Sequence, residues 1–347
     1  MIVFKRSAFL HSTVRRCLSS QTRHTLHETL KVIQTSPDVF TQPAETLFVY
    51  PHRSSVFGGQ IIGSAIYAAQ HTLTQDFPLH SIHSYFLRAA DNSSPITYTI
   101  QRLRDGKSFE ARSVTARQDN EIVFECEMSF HRHEQGSMQH QMTMPTEGVT
   151  PPEDLQSTRL RLQNLLNDER LKPEFRPFLE IALEMPARID IRHCRPRDLL
   201  KPSPEWPARQ LIWMKAIETL PDDSHLHRSA VAFCSDRVLL TTALLPYAMN
   251  ILHPRIKMQA SLDHSMWFHD DFRFTPSTAD GEPSKPLRRS ADMPVVPPKT
   301  PVRADDWLLY ELECPIAMNN RALTFGRVWT RQGRLVVSCA QEGVIRC

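Results

Sequence analysis

Two polar residues stand where an apolar pattern should continue unbroken. Residues 230–245 are carried by Val231, Phe233, Val238, Leu239, Leu240, Ala243 and Leu244, and Asp236 interrupts them. A helix that is apolar all round is a buried helix. A carboxylate within one costs several kcal/mol unless it is partnered. Asp236 therefore either pairs with a nearby cation or caps a break in the helix, or it has a chemical task. Gln341 is the second anomaly. On the final strand Leu335, Val337, Cys339 and Gln341 share one face by the two-residue period, and that face is apolar. A buried amide must find hydrogen-bond partners, either in neighbouring backbone or in a site. Ser261 is as ambiguous, opening a strand on which it shares a face with Asp263 and Ser265.

Other arrangements carry less. Asp263, His264 and Ser265 contain the residue types of a nucleophilic triad, but adjacent strand residues point to opposite faces and cannot form one relay. With sixteen histidines in the chain, such coincidences are expected. Gly58 and Gly59 precede a helix and could present backbone N–H groups to an anion or oxyanion, or simply form a turn. No GxSxG elbow, P-loop or GxGxxG occurs. The seven cysteines include no CxxC pair, which argues against a structural zinc site and for free thiols in a reducing compartment.

The elements that must hold these residues read as a duplication. In the first half a helix at 60–71, with Ile62, Ala65, Ile66 and Ala69 at helical spacing, is followed by strands at 81–87, 96–104, 108–118 and 121–130. Asp105-Gly106 marks a hairpin between the second and third strands. The second half offers a helix at 228–245 and strands at 261–269, 307–314, 321–330 and 334–345. Local wording recurs: His83-Ser84-Tyr85-Phe86 resembles His264-Ser265-Met266-Trp267, and Glu121-Ile122-Val123-Phe124 matches Arg334-Leu335-Val336-Val337. One helix with an antiparallel meander, repeated, is an α+β organisation. The halves are expected at 28–133 and 196–347, joined by a largely helical connector at 134–195. Residues 275–304, dense in Pro, Ser and charge, read as a disordered surface insertion.

The 347 residues give room for two ordinary domains, and 41% hydrophobic with 23% charged residues is a globular composition. A net charge of +3, without a dense basic patch, makes nucleic acid a poor partner. No apolar run approaches the roughly 18 residues of a bilayer span, so no stable membrane insertion is expected. Residues 1–27 carry five Lys or Arg, several Ser and Thr and no acid, with Phe9, Leu10, Val14 and Leu18 on one side of a helix. That reads as a mitochondrial presequence, with a basic arm as the alternative. The chain ends without a Ser-Lys-Leu tail, so the alternatives are a cytoplasmic location or a peroxisomal one without a C-terminal signal.

Longer motifs are more specific. Phe57-Gly58-Gly59-Gln60, the run from His80 to Arg88, the run from Arg102 to Phe109, residues 140–145, the run from Leu262 to His269, and Gln341-Glu342-Gly343-Val344 together resemble the type II acyl-CoA thioesterases. The resemblance covers about residues 47–346, outside the insertion. It implies a double hotdog, two tandem antiparallel sheets each wrapping a helix, and hydrolysis of fatty acyl-CoA to fatty acid and CoA with no cofactor. It also implies that Asp236, Ser261 and Gln341 hold the attacking water, and that the chain self-associates. Backbone N–H groups at Gly59 or Gln60 are expected to bind the oxyanion. The first helix holds no acid, so one catalytic set per chain is expected. Competing readings are hydration of enoyl-CoA on the same fold and acyl-CoA binding without catalysis.

Overall fold

The computed structural model describes residues 24–50, 55–134, 136–201, 203–250, 253, 255–270, 272–274, 294, 296–297 and 300–347. The expected presequence, up to residue 23, and most of the 275–304 insertion lie outside the described residues. The folded part begins before residue 28. Thr25 closes a capping box on helix α1 (Leu26–Leu30), whose Leu26 and Leu30 are buried. The insertion also ends early: Val302 and Ala304 enter the core, and the Ala304 N–H donates to His227 Nδ1 at 2.8 Å.

Two buried helices organise the molecule: α2 (Gly58–Gln70) and, far along the chain, α5 (Ser224–Ser235). They touch directly because α2 carries glycines one turn apart. A Cβ on Gly59 would lie 2.6 Å from the Phe233 carbonyl oxygen, and one on Gly63 would lie 2.9 Å from that of Ser229. Around this pair runs one antiparallel sheet, with thirteen strands among the described residues. The first half supplies β1 (Ile33–Ser36), β2 (Val39–Gln42), β3 (Leu79–Phe86), β4 (Ile96–Asp105), β5 (Phe109–Gln118) and β6 (Glu121–His131). The second supplies β7 (Ile189–His193), β8 (Arg209–Ala216), β9 (Met258–Ser261), β10 (Asp263–Phe268), β11 (Leu308–Met318), β12 (Arg321–Thr330) and β13 (Leu335–Arg346). Pairing of β3 with β10 fuses the halves, with His264 opposite Ser84. The architecture is the double hotdog that the resemblance implies.

Several boundaries differ from the expected ones, for identifiable reasons. The apolar run at 228–245 is two elements: α5 stops at Ser235 with Asp236 as its C-cap, and a 3-10 helix (Leu240–Tyr247) follows. Counted through that break, Ser224–Tyr247 is long and apolar enough to cross a membrane, although no such run was expected. Most of it is buried inside the molecule, which accounts for its composition. The connector holds two helices, α3 (Thr158–Leu166) and α4 (Arg176–Glu184), but its last residues form β7 and belong to the sheet.

The strand expected from Ser261 is also divided. Ser261 pairs with Gly343 as the last residue of β9, whereas Ser265 pairs with Ala340, so the register slips by one residue between them. The first half has the same slip, between Leu79 opposite Phe130 and Ser81 opposite Ser129. The duplication thus extends to a β-bulge.

Candidate active site

The break after α5, the bulge before β10 and the core-facing side of β13 meet at one point. Asp236 leaves the helix at its C-cap, with its carboxylate against the head of α2. The Gly59 N–H donates to Asp236 Oδ2 at 2.8 Å, and Gln341 Nε2 donates to Oδ1 at 2.6 Å. The Ser261 hydroxyl reaches the same Oδ1 at 3.3 Å, and Gln341 Nε2 lies 3.0 Å from Ser261 Oγ. Asp236, Ser261 and Gln341, picked out from three distant stretches of sequence, therefore form one hydrogen-bonded cluster. The bulge is the reason Ser261 takes part. In an unbroken strand it would share a side with Asp263 and Ser265, but the slip turns it to the side of His264.

Burial pushes the Asp236 carboxyl up to about 6, against the opposing pull of Gln341, the Gly59 N–H, Ser261 and, more weakly, Arg237. Nearby thiols are held protonated: burial pushes both Cys234 and Cys339 up to about 12. Neither offers a thiolate nucleophile near neutral pH. Thr324 Oγ1 donates to the Gln341 carbonyl at 3.0 Å, securing β13 beside the site. No group of three or more His, Cys, Asp or Glu among the described residues could hold a metal ion.

Two expected oxyanion donors are otherwise engaged. The Gly59 N–H is used on Asp236. The Gln60 N–H bonds the Phe57 carbonyl at 3.0 Å, and its buried side chain bonds the Phe48 N–H and the carbonyls of Thr29 and Thr46. Gln60 is thus a brace for the chain entering α2. The Gly58 N–H, one residue earlier, has no hydrogen-bond partner among the described residues, and Gly58 lines the adjoining cavity.

His264, set aside in the sequence as a coincidental triad member, stands beside Gln341. Its Nδ1 lies 3.1 Å from Gln341 Nε2, so it belongs to the cluster although it forms no relay with Asp263 and Ser265. The available signal was its alternation with Met266 and Phe268, which places a histidine on the core face. The wording match of His264 with His83 does not survive the pairing: His83 is exposed, and the register makes Ile82 the counterpart of His264. By the same registers Met128 stands where Gln341 does and Leu79 where Ser261 does. His71 caps α2 as Asp236 caps α5. A histidine among three apolar side chains cannot reproduce the cluster, so the described residues hold one such set.

Asp236 and Ser261 open onto a cavity of about 720 Å³, within the ordinary range for a small-molecule site. Phe48, Tyr50, Phe57, Phe86 and Phe233 give it aromatic walls, and the connector contributes Leu162, Phe178, Ala182 and Met185. Five arginines (88, 159, 188, 192 and 237) face two aspartates, Asp190 and Asp236, so the lining is positive on balance. An apolar chamber with a cationic balance and the half-buried Asp236 carboxylate suits a long apolar substrate with an anionic carrier.

Fold and site together define a double-hotdog protein with one carboxylate–hydroxyl–amide centre. Family models described as acyl-CoA thioesterase N-terminal domain, acyl-CoA thioesterase, and acyl-CoA thioesterase C-terminal domain match residues 50–131, 204–278 and 274–345. Acyl-coenzyme A thioesterase 8 of Mus musculus is 36% identical over 85% of this chain and 82% of its own. Acyl-CoA thioesterase 2 of Haemophilus influenzae is 30% identical over 84% and 87%. The crystal structure of the acyl-CoA thioesterase II TesB2 from Mycobacterium marinum superposes with a TM-score of 0.64 at 30% identity, covering 92% of this chain and 96% of that one. The chain belongs to the acyl-CoA thioesterase family.

Proposed function

We propose that this acyl-CoA thioesterase hydrolyses fatty acyl-CoA to fatty acid and CoA by attack of a water molecule that Asp236 deprotonates. The observation that carries the mechanism is the convergence of Gln341, Ser261 and Gly59 on one half-buried carboxylate. A carboxylate has about four acceptor positions. Gln341 and Ser261 occupy Oδ1 and Gly59 takes one position on Oδ2, so Oδ2 keeps a lone pair for the proton of water. As the water oxygen bonds the thioester carbon, its proton passes to Oδ2. The C–S bond then breaks and CoA leaves as thiolate, a leaving group good enough to need no strong acid. The Gly58 N–H at the head of α2 is the donor for the developing oxyanion. The aromatic and connector side of the cavity takes the acyl chain, and its arginines favour the CoA phosphates.

Hydrolysis of a series of acyl-CoA lengths, followed by thiol release, tests this reading. Asp236→Ala is expected to lower kcat on the order of a thousandfold, in the range of general base catalysis, with the fold intact by circular dichroism. Undiminished turnover in that variant would remove Asp236 from the mechanism.

A further inference from the structure

We infer that His264 is a positioning residue for this reaction, a tautomerically locked acceptor that holds the Gln341 amide in the orientation Asp236 requires. The inference rests on the reading of Asp236 as the base and adds a residue to it. The lock begins at the end of α5. Ser235 Oγ has acceptors in the Ala232 carbonyl at 2.9 Å and Met266 Sδ at 3.6 Å, and it also lies 3.0 Å from His264 Nε2. We assign the hydroxyl proton to the carbonyl, the nearer of these two acceptors, which makes Nε2 the donor in the imidazole contact. Nδ1 then carries a lone pair, and it faces Gln341 Nε2 at 3.1 Å.

The amide nitrogen of Gln341 has two hydrogens and three acceptors around it. Asp236 Oδ1 and Ser261 Oγ lie 3.3 Å from each other and so occupy one side. His264 Nδ1 takes the second hydrogen. With both hydrogens directed in this way, a flip of the amide would bring Oε1 against a carboxylate and an imidazole lone pair, which is repulsive on both sides. Gln341 Oε1 itself is buried without a hydrogen-bond partner among the described residues. An orphaned acceptor of this kind costs about 1–3 kcal/mol, so the opposite end of the amide must be held firmly to maintain it. Burial also pushes the His264 imidazole down to about 4, which keeps Nδ1 an acceptor through the working pH range.

Three substitutions separate positioning from bulk. His264→Asn can place an amide oxygen where Nδ1 was, His264→Gln reaches towards Ser235 instead, and His264→Phe removes both functions while filling the space. The expected result is that the Asn variant stays within a few fold of wild-type kcat. The Gln and Phe variants should lose ten- to a hundredfold in kcat with little change in KM, the scale of a misplaced catalytic group. Without the Gln341 hydrogen bond, the acid limb of their pH–rate profiles should also move to higher pH. Equal activity in all three variants, or equal losses with an unmoved acid limb, would overturn the proposal. Asp236→Asn, assayed alongside, isolates the underlying reading: if that variant turns over normally, the base assignment fails whatever the His264 series shows.

Discussion

An aspartate at its ordinary pKa is a weak base, and the surroundings of Asp236 correct that. Desolvation lifts the carboxyl to about 6, while three donors keep it from rising further. A base of this kind is ionised at neutral pH yet accepts a proton more readily than a solvated carboxylate. The pH profile of kcat/KM should therefore show a single acid limb with a midpoint near 6, falling about tenfold per pH unit below it. A midpoint near 4 would mean that another group limits the rate. The same shift bears on stability. The native state holds this proton to higher pH than the unfolded chain, so acidification from 6 towards 4 stabilises the fold through Asp236. Above 6 the full penalty applies, up to about 3 kcal/mol for a shift of this size. Asp236→Asn should raise the melting temperature at pH 8, and the gain should disappear by about pH 4. A variant that is less stable than wild type at pH 8 would show that the ionised carboxylate contributes more through its hydrogen bonds than burial takes away.

Elements, not residues, decide which of these groups meet. Gly59 and Gly63 let α2 lie against the carbonyl edge of α5, and that approach brings the Gly59 N–H to Asp236. Gly63→Ala places a methyl against Ser229 O and Leu30 Cδ2, with no flexible group to yield on the backbone side. Such overpacking costs about 1–3 kcal/mol. The expected outcome is a lower urea midpoint with an unchanged slope, together with reduced kcat as the helices part. Legibility in the sequence follows the same division. Asp236 and Gln341 were visible because each breaks an apolar period. Ser261 gained its role only through family resemblance, because a one-residue bulge that alternation cannot foresee turns it to the side of His264; alternation marks His264 as core-facing but not as a neighbour of Gln341. The three-strand meanders β4–β5–β6 and β11–β12–β13 were readable, but not the return of β3 beside β6 and of β10 beside β13. Strands β1, β2, β7 and β8 were not readable: β1 is exposed throughout, β2 alternates over only four residues, and β7 and β8 show no clean alternation. The false continuity at 228–245 has a related cause: apolar residues resume after Asp236 in the 3-10 segment, so a cap at a helix break and a polar residue within one helix read alike in the sequence.

At the scale of the whole molecule, duplication produced two helix heads and two bulges but one reactive centre, which freed the rest of the chain to shape a single cavity. The connector is part of that cavity. Helix α4 presents Phe178, Ala182 and Leu183 to the same chamber as Asp236, and α3 adds Leu162. A segment that joins the halves thereby becomes a wall of the cavity, and under the proposed function its side chains set how many methylenes the chamber receives. Each methylene moved from water into an apolar wall is worth about 0.8 kcal/mol, close to fourfold in kcat/KM when it is bound in the transition state. In wild type, log kcat/KM should climb with acyl length until the chamber is full. Ala182→Trp should leave short acyl-CoAs unaffected and end the climb several carbons earlier, so that the longest substrates lose on the order of a hundredfold. A profile that keeps its wild-type shape would place the acyl chain elsewhere and leave the connector a purely structural link.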